Sequence, residues 1–148
     1  MKQLRLTLFL LLLGGFAQAQ ELVLWKFNAI KKSDSIYEIH FRPNITPPWY
    51  IYSQFSPKGG GLPTKFTIHS NANLIPVGKV KEIGVINSKF EKAFNINVKY
   101  LKGSIDFVQV IRVKKNQKDK LVGTIEFMAC DGEQCLMPTK IEFSIPLN

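Results

Sequence analysis

Cys130 and Cys135 are the only two cysteines in the 148-residue chain, and Asp131-Gly132-Glu133-Gln134 separates them. That spacing suits a tight turn, and Asp131-Gly132 supplies a residue tolerant of positive φ. Apolar and polar residues alternate on both sides, from Leu121 to Met128 and from Ile141 to Leu147, which predicts a β-hairpin with the cysteines at its tip. Directly opposed residues of such a hairpin have Cα atoms roughly 4.5 or 5.5 Å apart. A disulfide spans about 4.4 to 6.8 Å. Three chemistries are open to the pair: reversible thiol–disulfide exchange, an inert bridge, or metal binding. Closing a loop of about six residues removes only about 2 kcal/mol of unfolded-chain entropy, against nearly 5 for about 100 residues, so this would be a poor staple. A short surface bridge is also the kind that an attacking thiolate can reach. Metal is disfavoured, because two thiolates need two more ligands and His40 and His69 stand isolated in strand-like runs. Each histidine reads as a sheet-surface residue. Exchange and an inert staple both stay open on spacing alone.

The compartment bears on that choice. Met1 to Ala19 has a basic start at Lys2 and Arg5, an apolar run from Leu6 to Leu13, and Ala17-Gln18-Ala19 as a small-x-small cleavage site, which is a secretory signal. The run falls short of the ~20 residues that span a bilayer. Residues 20–148 are then expected as one domain without a membrane span, periplasmic or secreted, in an oxidising compartment where a bridge persists. The formal net charge is +9, carried mostly by scattered lysines, with one denser cluster at Lys114-Lys115-Asn116-Gln117-Lys118-Asp119-Lys120. That cluster reads as a solvated hairpin loop. A nucleic-acid surface would want arginine forks and interleaved aromatics, and beyond the signal only Arg42 and Arg112 occur. No nucleic-acid partner is expected. Hydrolase chemistry has no motif to rest on, whether a nucleophile elbow, a zinc set or a carboxylate pair.

The elements that must position the cysteines are strands. Period-2 alternation recurs over Leu22–Phe27, Ser35–Phe41, Trp49–Tyr52, Thr64–Ile68, Phe94–Tyr100, Ile105–Val113, Leu121–Met128 and Ile141–Leu147, and no segment sustains a helical period. In Ser35–Phe41, Ile36, Glu38 and His40 share one face, and Tyr37, Ile39 and Phe41 the other. Leu74 to Glu91, interrupted by Pro76, Gly78 and Gly84, is expected to hold one short strand and a long ordered loop. Many short strands with turn signals between them predict an all-β sandwich or barrel, and strands with one polar face each favour two packed sheets.

Three stretches carry a likeness to a known family. They are Trp49-Tyr50-Ile51-Tyr52-Ser53-Gln54, Leu62-Pro63-Thr64-Lys65-Phe66-Thr67-Ile68, and Gly123 to Cys130 continuing through Cys135-Leu136-Met137-Pro138-Thr139. In this order they resemble the N-terminal periplasmic domain of the thiol:disulfide interchange protein DsbD family, over roughly residues 21–147. The resemblance implies an immunoglobulin-like β-sandwich whose cysteine pair, at a hairpin tip, is a working disulfide. It implies a protein-disulfide reductase component without a cofactor, which passes reducing equivalents to thioredoxin-fold periplasmic partners such as disulfide isomerases and cytochrome c maturation factors. By position, Cys130 and Cys135 are the redox pair, with Cys135 forming the mixed disulfide with the upstream donor. Tyr50 and Tyr52, on one face of a strand, match the tyrosines lining the family's active site, and Met137 and Pro138 stand where the family has an aromatic-Pro-Pro. The family's cap loop over the cysteines would fall near Lys81 to Phe90, at Glu82 with Gly84-Val85-Ile86 or at Phe90-Glu91. No membrane or thioredoxin-like domain is read in residues 20–148, so a separate membrane electron donor is expected, and a monomer. Lys140 favours thiolate character, whereas Asp131 and Glu133 would raise a thiol pKa. The competing reading is a secreted immunoglobulin-like binding module with a structural disulfide, using Trp49, Tyr50, Tyr52 and Phe55 as a ligand face.

Overall fold

Alternation along the strands decides the layering. The computed structural model describes residues 21–69, 71–92, 94–114 and 119–147; the signal segment lies outside them. Val23–Ser33 (β1) and Ile36–Ile45 (β2) form an antiparallel hairpin. Tyr37, Ile39 and Phe41 of β2 are buried, while Glu38 and His40 turn to the other face. On that outer face His40 Nδ1 lies 2.9 Å from Asp106 Oδ2, and Arg42 Nε donates to the same oxygen at 3.0 Å.

The remaining strands are Tyr50–Tyr52 (β3), Lys65–His69 (β4), Leu74–Ile83 (β5), Ile86–Glu91 (β6), Ile96–Leu101 (β7), Asp106–Val113 (β8), Asp119–Phe127 (β9), Ala129–Cys130 (β10) and Thr139–Leu147 (β11). They form three antiparallel sheets, ordered β1-β2-β8-β5, β11-β9-β4 and β10-β3-β7-β6. No helix occurs among the described residues. The all-β, immunoglobulin-like sandwich expected from the sequence is the observed architecture.

Rings from facing sheets form the core. Trp25 meets Phe66 and Phe127, and Phe41 meets Phe66 and Phe143, with centroids 5.0–6.0 Å apart. Edge-on and tilted pairs at these distances gain beyond the apolar area they bury. Gly123 lets the β9 backbone sit against this layer: a Cβ there would lie 2.3 Å from Thr67 O and 2.5 Å from the Phe143 ring.

Two expectations are corrected. Leu74 to Glu91 holds two strands rather than one and a loop, because β5 absorbs Gly78 (φ +71°) in a register shift between Val77 and Lys81. A bulge breaks the period-2 signal without ending the strand. The lysine cluster does not close a hairpin, since β8 already pairs with β2 and β5 and β9 with β11 and β4. It joins two sheets, and residues 115–118 lie outside the described ones.

Candidate active site

The cysteines are held by a strand that changes sheets. β9 pairs with β11 up to Phe127↔Thr139, and the chain between them leaves that sheet. Ala129 and Cys130 then pair with β3, as Ala129↔Ile51 and Cys130↔Tyr50. Side chains alternate across this short ladder. Ile51 and Ala129 point into the main core, whereas Tyr50, Tyr52 and Cys130 join a separate cluster with Val98, packed by Ile96, Tyr100 and Met128.

Past Cys130 the chain reverses in the expected four-residue turn. Cys130 and Cys135 are an antiparallel bridge pair joined as a disulfide, with Cα atoms 4.1 Å apart, slightly closer than the expected range. Leu136 N donates to Ala129 O at 2.9 Å and Asp131 N to Gln134 O at 3.1 Å. Asp131 Oδ1 accepts from the amides of Glu133 and Gln134, each at 2.9 Å, and Gly132 takes φ +104°. The amides of Gln134 and Glu133 hold the Asp131 carboxyl below the ordinary carboxylate range. Its charge is therefore engaged in building the turn.

The two sulfurs live in different surroundings. Cys130 is fully buried, and Cys135 is exposed. Tyr52, itself fully buried, places its hydroxyl 3.5 Å from Cys130 Sγ and 3.9 Å from Cys135 Sγ. A bridged sulfur carries no proton, so the hydroxyl is the donor. Burial first, then Tyr50 and Glu91, push the Tyr52 pKa well above the tyrosine range. This hydroxyl therefore keeps its proton at any working pH. The Tyr50 ring stands edge-on to Tyr52 with centroids 5.8 Å apart, and tilts against Tyr100 at 4.9 Å.

Lys89 completes the cluster, and the sequence reading missed it. Its ammonium donates to the Tyr50 hydroxyl at 2.6 Å, lies 4.4 Å from the Tyr50 ring centroid and pairs with Glu91 at 2.9 Å. Burial lowers its pKa, but the Tyr50 and Glu91 contacts outweigh that and raise it. The alternation of Asn87, Lys89 and Glu91 on β6 was a usable signal, hidden because the segment did not read as a strand. In the stretch expected to hold a cap, Lys89 and Glu91 turn to the tyrosines, and Phe90 is 53% exposed. Glu82 serves elsewhere, accepting from Ser53 Oγ at 2.7 Å and Gln54 N at 2.6 Å. Met137 stands 84% exposed and Pro138 is exposed, next to the cysteine turn in sequence. Lys140 pairs with Glu126 at 3.4 Å, which engages the charge expected to favour a thiolate. Among the described residues, no group of three or more metal-ligating side chains converges.

This geometry defines an immunoglobulin-like domain with a hairpin-tip disulfide, one sulfur buried against a tyrosine hydroxyl and the other at the surface. Two solved structures share the fold. The N-terminal periplasmic domain of ScsB from Proteus mirabilis matches at a TM-score of 0.58 and 15% identity, over 84% of this chain and 46% of that one. This chain thus spans about half the length of that structure. The Neisseria meningitidis DsbD N-terminal domain in the reduced form matches at a TM-score of 0.53 and 16% identity, over 86% of each chain. No family model matches the chain, and no curated protein sequence matches it. The resemblance to a DsbD N-terminal domain drawn from the sequence therefore holds at the level of the fold. No helix among the described residues is long and apolar enough to cross a membrane.

Proposed function

We propose that this protein is a periplasmic thiol–disulfide exchange domain working through Cys130 and Cys135. The observation that carries the reading is the asymmetry of the bridge: Cys135 is exposed, and buried Cys130 has the Tyr52 hydroxyl at 3.5 Å. In exchange, a thiolate of an upstream dithiol attacks Cys135 Sγ in line. The Sγ–Sγ bond breaks, a mixed disulfide forms, and the electron pair leaves on Cys130 Sγ. Burial alone would make that thiolate a poor leaving group. The permanently protonated Tyr52 hydroxyl offsets this by donating a charge-assisted hydrogen bond to it. The donor's second thiolate resolves the mixed disulfide and leaves the domain as a dithiol. The same steps in reverse deliver the electrons to a partner's disulfide.

Lys89 and Tyr50 hold Tyr52 in register. The expected donor is a separate membrane protein and the expected acceptors have thioredoxin folds, as the DsbD resemblance implies; the domain is expected to act as a monomer without a cofactor. The test is trapping with a single-cysteine partner activated as its thionitrobenzoate mixed disulfide. In Cys130→Ser the Cys135 thiolate should displace thionitrobenzoate and leave a stable mixed disulfide, while Cys135→Ser, whose remaining sulfur is buried, should give none. Equal trapping by both variants would remove the assigned roles.

A further inference from the structure

A groove of about 1150 Å³ opens on the side of the sandwich where the edge strands β4 and β5 lie apart. Phe55, Leu62, Phe66 and Val80 give it apolar walls, and Phe55 is 56% exposed. Lys58, Lys65, Lys79 and Lys81 stand around it, all exposed. Lys31, Lys32, Lys89 and Lys140 have carboxylate partners, but none of these four does among the described residues. Among the described residues the only carboxylate lining the groove is Glu82, which accepts from Ser53 Oγ and Gln54 N. The groove is therefore apolar within and net positive around its rim, with four ammonium groups against one carboxylate.

We infer that this groove docks an extended acidic segment of a protein partner. Charge favours an acidic occupant, because four unpaired ammonium groups raise the local concentration of anionic segments and speed their encounter. The backbone favours a polypeptide over a lipid. β4 pairs with β9 on one side only, and no described hydrogen bond uses its other edge. Lys65–His69 offers that edge over five residues, a length of about 17 Å onto which an extended chain can add as a strand. Alternate side chains of such a segment would enter the apolar walls and meet the lysines. Lysines also blunt edge strands against aggregation, but that role calls for no apolar groove beside them. The groove adjoins the cysteine cluster as well: a Cβ at Gly61, in its wall, would lie 2.2 Å from the Tyr52 ring. A partner seated here would press on the wall behind the Tyr52 ring.

The test uses the intact oxidised protein and a blocked heptapeptide alternating glutamate with leucine and phenylalanine. Backbone amide NMR should show shifts confined to residues 54–69 and 79–82. The Lys79→Glu/Lys81→Glu variant should bind at least tenfold more weakly, as should wild type in high salt, with Lys58→Glu/Lys65→Glu as the second variant if the first fails to fold. Absence of shifts at these residues overturns the proposal. Equal binding of a peptide with lysine in place of glutamate overturns it too, as do shifts produced by decanoate but not by the peptide. Cys135→Ser should bind the peptide as wild type does, so docking and exchange fail separately: loss of exchange with dithiothreitol in wild type would refute the redox reading and leave the groove standing.

Discussion

The domain has two buried aromatic clusters, and they are built on opposite terms. The larger lies between the β1-β2-β8-β5 and β11-β9-β4 sheets and is packed by phenylalanines and Trp25, whose neighbours are other rings and aliphatic side chains. The smaller lies on the β10-β3-β7-β6 sheet and is packed by Tyr50, Tyr52 and Tyr100, with Cys130, a lysine and an acid among them. Phenyl rings need no partners when buried, so the first cluster can be large and stabilise the fold; Trp25 is the exception there, its indole N–H buried without a partner among the described residues. A buried tyrosine hydroxyl must find a partner, and those of Tyr50 and Tyr52 meet Lys89 and the cysteine sulfurs, which keeps the second cluster small. The difference teaches where stability and chemistry are lodged in this fold, and substitutions in the two clusters should therefore separate.

The largest effects come from removing the centre of either cluster. Phe41→Ala should cost about 3–5 kcal/mol of stability, read as a urea midpoint, through lost burial and a residual cavity. Cys135→Ser should abolish exchange with dithiothreitol or a dithiol protein while costing only about 2 kcal/mol, the value of its short loop. A Cys135→Ser protein that cannot fold would erase the division.

Gly61→Ala should come next. Its Cβ would strike the Tyr52 ring, and its φ of +103° suits glycine, so a loss of about 1–3 kcal/mol is expected together with slowed exchange. Tyr52→Phe should do the reverse, slowing reduction of the disulfide about tenfold for a lost hydrogen bond of ~1.5 kcal/mol to a charged sulfur. Its urea midpoint should move little. A large loss of stability with unchanged exchange would assign Tyr52 to packing alone.

Lys89→Met should slow exchange about threefold, in line with a contact worth ~0.5–1 kcal/mol, and Lys89→Arg should restore part of it. The smallest effect is at Asp131, whose pKa is lowered by the Gln134 and Glu133 amides. A depressed carboxyl stabilises the fold above its unfolded value of 3.8 and loses that contribution as pH falls through the lower folded value. Asp131→Asn should therefore flatten the acid limb of a stability–pH profile below about pH 4 and lower the neutral plateau slightly, by the contribution the carboxylate makes there.

How far the sequence could be read follows the same division. Clean alternation in Ser35–Phe41 showed which face of β2 is buried, because a strand with one face on the core must alternate. The cysteine turn was legible from Asp131-Gly132, and the pairing of Tyr50 with Tyr52 from their spacing. Leu74 to Glu91 was not, since the Gly78 bulge broke its phase, and Lys89 was lost with it. Closeness in sequence to Cys135 points to Lys140, but its position in β11 opposite Glu126 gives it another partner. The move of Ala129–Cys130 onto β3 was also hidden, because two residues carry no period.

The central claim is that the Cys130–Cys135 bridge turns over, and its reduction potential against a glutathione buffer tests it most directly. The account predicts a value in the range of exchange proteins, about −180 to −270 mV. A value well below about −300 mV would make the bridge a structural staple and contradict the account.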